Sequence, residues 1–155
     1  MQEKHKKPLI VLTGPTAVGK TALSIGLAKA VGGEIISADS MQVYKGMDIG
    51  TAKIMPEEMQ GVKHYLVNEL EPDEEFNVVV FQRLCKQYME QIYAEGRIPI
   101  IVGGTGFYIQ SILNDIDFTE NEADTSYRQI LEERAKTQGV QSLHAELCRV
   151  DEKAA

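Results

Sequence analysis

Short apolar runs alternate along the chain with segments of helical period. The first run, LIVLTG, has strand composition and ends at Gly14. A helical pattern follows from Lys20 to Val31, with Leu23, Leu27 and Val31 on one stripe, and Gly32 and Gly33 stop it. EIISAD reads as a second buried strand that runs into Asp39. Met41 to Met55 is polar and carries Gly46 and Gly50, so it reads as loop; HYLVNEL gives a weak strand signal. Asn77 suits the N-cap of a long helix over Val78 to Glu95, with Phe81, Cys85, Tyr88 and Ile92 on one face and Gly96 beyond its end. IPIIVGG is a clear buried strand, and TGFYIQSIL opens another helix. Strands alternating with helices predict an α/β fold with a parallel sheet flanked by helices.

The pattern changes after residue 114. DIDFTENEAD, Asp115 to Asp124, is acidic, nearly free of apolar side chains and reads as a solvated connector. Thr125 to Gln138 and Ser142 to Arg149 then read as two helices separated by Gly139. The predicted organisation is an α/β core over 1–114 and the beginning of a helical domain over 115–155. About three strong core strands are visible, whereas doubly wound sheets usually have roughly five or six. The chain is therefore expected to be the N-terminal part of a larger protein.

Composition narrows the class. A chain of 155 residues, 43% hydrophobic and 25% charged, fits one ordinary globular domain. No apolar run approaches the ~20 residues of a membrane-spanning helix, and MQEKHKKP lacks the apolar stretch of a secretory signal. Cys85 and Cys148 lie far apart with no metal-type spacing, so reduced thiols and a cytoplasmic location are expected. The net charge of −7, taken alone, argues against a nucleic-acid binder, although net charge does not locate patches.

Chemistry enters at GPTAVGKT. Gly14, Gly19, Lys20 and Thr21 fit the P-loop pattern, with a strand before it and a helix after it. The glycines let backbone wrap an anion, consecutive N–H groups and a helix N-terminus point at phosphate oxygens, Lys20 adds charge, and the Thr21 hydroxyl can ligate Mg²⁺. The motif gives a polyphosphate site of the nucleotide- or ATP-binding kind without fixing which ligand it holds. ATPases and GTPases of this class place an Asp after a second apolar strand, yet IPIIV runs into Gly103-Gly104-Thr105-Gly106. Asp39 could take the metal role by position, or cap a helix. Only Arg83 and Arg97 precede residue 128, too few for an arginine-bearing lid. A nucleotide or small-metabolite kinase is the competing reading, and a non-catalytic nucleotide switch a further one. The thin phosphoryl-transfer apparatus favours a different use of the loop, holding a diphosphate as a leaving group.

GPTAVGKT, SADSMQVYKGMDIGTAK at Ser37 to Lys53, and GGTGFY at Gly103 to Tyr108 together resemble the tRNA dimethylallyltransferase (tRNA isopentenyltransferase) family. The blocks occur in the family's order, and the stretch with Asp124 and Arg128 is similar to the start of its inserted helical domain. The resemblance implies a P-loop NTPase-like core and transfer of a dimethylallyl group from dimethylallyl diphosphate to the exocyclic amine of an adenine beside the anticodon. It implies that Gly14, Thr16, Ala17, Val18, Gly19, Lys20 and Thr21 hold the diphosphate with Mg²⁺. It implies Asp39 as general base, Lys20 and Thr105 beside the leaving group, and Ser40, Met41 and Gln42 along the flipped base. Arg128 would contact the tRNA. The partners implied are tRNA and the donor diphosphate, with no membrane and a monomeric state.

Each residue also has a plainer reading. Thr105 could cap the following helix, Gln42 could be a solvated loop residue, and Arg128 could be surface charge. His64 reads as a packed strand histidine, Tyr44 and Tyr108 as core or pocket wall. Lys45, Asp48 and Lys53 could brace the loop or touch substrate. The acidic chain by itself is expected to bind tRNA poorly.

Overall fold

The computed structural model describes residues 7–118 and 125–155, so Asp124 and most of the acidic connector lie outside the described residues. Two compact units divide the chain, 1–116 and 117–155.

The first unit is a parallel sheet with helices. Its strands are β1 (Ile10–Thr13), β2 (Gly33–Ala38), β3 (His64–Tyr65) and β4 (Ile98–Gly103), in the order β1-β4-β2-β3. All pairings are parallel, as βαβ connections require. β2 is buried at every residue, and β4 nearly so, as expected for strands covered on both faces. β3 is the strand with the weak sequence signal, and it is short. Leu66 and Asn68, just beyond it, take positive φ of 60° and 55°, which breaks extended pairing.

The helices are α1 (Lys20–Val31), α2 (Val78–Ala94) and α3 (Gly106–Leu113). α2 starts where the sequence places it: the Asn77 carboxamide oxygen accepts from Val79 N and Val80 N, both at 3.0 Å. That cap contributes about 1 kcal/mol. Its apolar face carries Phe81, Cys85 and Ile92 into the core beside Tyr108, whose ring stacks on Phe81 at 4.6 Å. Burial pushes the Cys85 thiol up to about 12, so it stays protonated and inert.

The α1 face differs from expectation. Leu23 is 60% exposed, and the buried positions are Ser24, Ile25 and Ala28. Small side chains let the helix axis approach β2 and β4 closely, so Leu23 is turned to the outside while Leu27 and Val31 border the cluster of Ile25, Ile35, Ile54 and Ile100.

The second unit holds α4 (Thr125–Gln138) and α5 (Val140–Val150), joined at Gly139. Arg134 pairs with Glu146 at 2.5 Å across the two helices.

The sheet's tightest point is Gly103. A Cβ there would overlap the Ala38 carbonyl oxygen and lie 2.6 Å from its carbon, whereas one on Gly104 would meet only Gly14 O at 3.8 Å. Gly103→Ala should therefore lower unfolding free energy by about 3 kcal/mol or more, and Gly104→Ala by under about 1 kcal/mol; urea denaturation of both variants checks the contrast. His64 supplies a pH test. Its Nδ1 donates to Val62 O at 2.8 Å, and burial holds its pKa below the usual 6.5. The unfolded chain then takes up a proton that the folded one resists, so stability falls as pH drops below about 6.5. Denaturation across that window should show a shallower slope for His64→Asn than for the parent.

Candidate functional site

Register decides what meets what. Thr13 pairs with Gly103, and Gly103 with Ala38, so the C-terminal ends of β1, β4 and β2 finish side by side. Each strand then releases a loop from the same edge of the sheet: the P-loop after β1, Asp39 to Gln42 after β2, Gly104 and Thr105 after β4. Ligands of open α/β sheets bind at that edge. Thr105 N donates to Ala38 O at 3.3 Å, tying two of these loops together.

A cavity of about 410 Å³ opens there, lined by Thr16, Ala17, Gly19, Lys20, Thr21, Asp39 and Gln42 among others. Gly14, Val18, Ser40, Met41 and Thr105 are not in its wall. Gly14 lies against Gly104, Val18 and Met41 are exposed, and Ser40 and Thr105 are half-buried. Arg128 is exposed on α4 in the second unit.

The P-loop backbone is shaped for an anion. Gly14, Ala17 and Gly19 have φ of 156°, 64° and 86°; only a glycine takes the first without strain. Gly19 is the N-cap of α1 and supplies no side-chain bond, which leaves the first-turn N–H groups directed at the cavity edge. Lys20 Nζ donates to Gly14 O at 2.8 Å and to Pro15 O at 2.5 Å, folding the ammonium over the loop. Thr21 and Asp39 put hard oxygen donors on the same wall, a set suited to Mg²⁺ shared with phosphate oxygens.

Asp39 divides its carboxylate. Oδ1 accepts from Met41 N at 2.9 Å and Gln42 N at 3.2 Å, so it closes a local turn where a helix cap was the plainer expectation. Oδ2 has no partner among the described residues. One oxygen thus fixes the side chain and leaves the other available to an incoming group. Thr105 sits at the N-cap of α3 yet makes no side-chain cap bond, so its hydroxyl is not consumed by the helix.

Gln42 is not a free loop side chain. Its Nε2 donates to Thr51 O at 3.2 Å and Ala52 O at 3.3 Å, and its Oε1 accepts from Ser37 Oγ at 3.3 Å. The remaining wall was not foreseen from the sequence: Ser24, Ile35, Ser37, Thr51, Ala52, Ile54, His64, Val67 and Val102. Ser37 had a signal, since it lies two residues before Asp39 and so shares its strand face. Ser24, Ile35 and Val102 are likewise local neighbours of Thr21, Ser37 and Gly103, whereas Thr51, Ala52, Ile54, His64 and Val67 reach the cavity through long-range packing. Tyr44 and Tyr108 pack in the aromatic core around Phe76, and Lys45 and Lys53 brace loops through Glu71 and Asp48. Arg97 is committed elsewhere, pairing with buried Glu34 at 3.2 Å at the opposite end of the strands.

The chain is similar to known proteins over most of its length. A tRNA dimethylallyltransferase of Lachnoclostridium phytofermentans is 66% identical over 149 residues, 96% of this chain and 48% of that protein. One of Symbiobacterium thermophilum is 56% identical over 146 residues, 94% of this chain and 46% of that protein. The crystal structure of the full-length tRNA isopentenylpyrophosphate transferase of Bacillus halodurans matches with a TM-score of 0.73 at 48% identity, over 96% of this chain and 49% of that one. A eukaryotic dimethylallyltransferase captured acting on tRNA matches with a TM-score of 0.71 at 42% identity, over 74% of this chain and 29% of that one. The chain spans about half the length of the curated relatives it matches. A family profile described as IPP transferase matches residues 42–155. From the shared sequence and the shared fold, this chain belongs to the IPP transferase family.

Proposed function

We propose that this chain forms the diphosphate-holding part of a tRNA dimethylallyltransferase. The observation that carries the reading is the meeting of Lys20, Thr21, Asp39 and Gln42 in one cavity wall at the C-terminal edge of the sheet. The α1 N-terminus, the P-loop amides and Lys20 bind the diphosphate of dimethylallyl diphosphate. Thr21 holds Mg²⁺, which adds positive charge against the diphosphate when bound.

The reaction then follows from the residues present. The adenine N6 forms a bond to the allylic carbon, and the bond from that carbon to the diphosphate oxygen breaks. Charge grows on the departing oxygen, where Lys20 and the loop amides stabilise it. An aromatic amine is a weak nucleophile, and the free Oδ2 of Asp39 accepts its proton as the bond forms. The Thr105 hydroxyl, unused by α3, donates toward the leaving group. Ser40, Met41 and Gln42 border the base, which must leave its stack to reach the cavity. Arg128 contacts the tRNA backbone as part of the helical domain that begins near residue 115. The enzyme works in the cytoplasm as a monomer and needs no ATP. A kinase reading gains no support, because Arg97 is held by Glu34 and cannot serve a lid over the P-loop.

The test uses the protein at its natural length, labelled dimethylallyl diphosphate, Mg²⁺ and tRNA from cells that lack the modification. Label should enter the tRNA without ATP; label in no tRNA would sink the proposal. Asp39→Asn should lower the transfer rate about 10²–10⁴-fold while pyrophosphate still binds. Lys20→Ala should weaken pyrophosphate binding itself, read by calorimetry.

A further inference from the structure

Lys53 is a cation with no exposed side-chain surface. Its three N–H donors meet three acceptors: Tyr44 O at 2.5 Å, Asn68 Oδ1 at 2.6 Å and Asp48 Oδ1 at 2.8 Å. An ammonium has three donors and no acceptor, so this cage saturates it. Lysines are seldom so buried, and nothing in holding the sheet together calls for one here. What the cage does hold is the surroundings of Gln42.

Two routes lead from Lys53 to that residue. Along the chain, Lys53 directly follows Thr51 and Ala52, whose carbonyls receive the Gln42 Nε2 group. Ala52 is in the left-handed region, with φ of 47°, a conformation that a non-glycine keeps only where its surroundings impose it. Across the fold, Asn68 uses its side chain on Lys53 and its backbone N–H on Gln42 O at 3.0 Å. One buried cation therefore ties down both the backbone of Gln42 and the carbonyls that orient its amide.

The orientation has chemical content. Carbonyl oxygens only accept, so the Gln42 amide must point its NH₂ at Thr51 and Ala52. Ser37 occupies one lone pair of Oε1. A lone pair of Oε1 is what Gln42 has left to offer in the cavity, and it can receive an N–H but cannot serve a keto oxygen. We infer that Lys53 is a positioning residue that locks the Gln42 carboxamide as an acceptor for the exocyclic amine of the target base. The inference rests on the prenyl-transfer reading proposed above.

The experiment compares Lys53→Met, Gln42→Ala and the double variant in the natural-length protein. Lys53→Met should lower kcat/KM for tRNA about tenfold or more, and pyrophosphate affinity should change less than about twofold. In the Gln42→Ala background, Lys53→Met should cost less than about twofold more. A full second loss there would show a general structural role and overturn the inference. Side-chain amide resonances give a readout free of activity: the Gln42 NH₂ pair, assigned by its loss in Gln42→Ala, should be slow to exchange in the parent and fast in Lys53→Met. Should Lys53→Met fail to fold, Asp48→Ala removes one cage partner from a half-exposed position. It should raise Gln42 NH₂ exchange and lower kcat/KM several-fold, and an unchanged amide signal and rate would overturn the inference. If the parent protein transfers no prenyl group to any tRNA, the functional reading fails, while the amide signals still decide whether Lys53 holds Gln42.

Discussion

At Gly103 the backbones of β2 and β4 come so close that no side chain fits between them. Much of the site depends on this contact. It lets both strands end in register with β1, and the register sends the P-loop, the Asp39 turn and the Gly104-Thr105 segment out of the same edge. A bulkier residue would push β4 away from Ala38, and the Thr105 N–H bond to the Ala38 carbonyl would stretch with it. The geometry of the candidate site is an outcome of strand packing, reached before any of its side chains is considered.

Two packed layers make that edge rigid. On one face, Phe81, Cys85, Ile92 and Tyr108 join Ile36 and Ile101 in an apolar cluster. Full burial of a side chain like Phe81 contributes about 2–3 kcal/mol. On the other, α1 uses Ser24 and Ala28 to settle onto β2 and β4. The helix whose N-terminus lies at the cavity edge is thus seated by small residues, which bring its axis close to the sheet.

The sequence exposed whatever is encoded locally. GPTAVGKT is contiguous, Asn77 caps the residues next to it, and β2 and β4 are unbroken apolar runs, so motif, cap and strands could be read directly. β3 was faint because Leu66 adopts a positive φ that its residue type does not announce. The stripe through Leu23 misled because hydrophobic period says nothing about how near a helix must come to its sheet. His64, Val67 and Thr51 enter the cavity wall through contacts between distant segments, which spacing along the chain does not record. Asp39 shows a subtler limit: its position after a strand fitted a base, a metal ligand or a helix cap, and what Oδ1 does instead, closing a turn onto Met41 and Gln42, depends on a backbone path the spacing does not record.

The folded-back pose of Lys20 has a consequence for selectivity. Its ammonium is already solvated by the Gly14 and Pro15 carbonyls, so an incoming anion gains from it only what exceeds those two bonds. A monovalent anion such as chloride or acetate offers little beyond them. A diphosphate bound as proposed would bring several charges to both the lysine and the α1 amides, and so more than offset the exchange. In the diphosphate-holding role proposed above, the loop's own carbonyls would act as a threshold that favours multiply charged ligands over small monovalent anions.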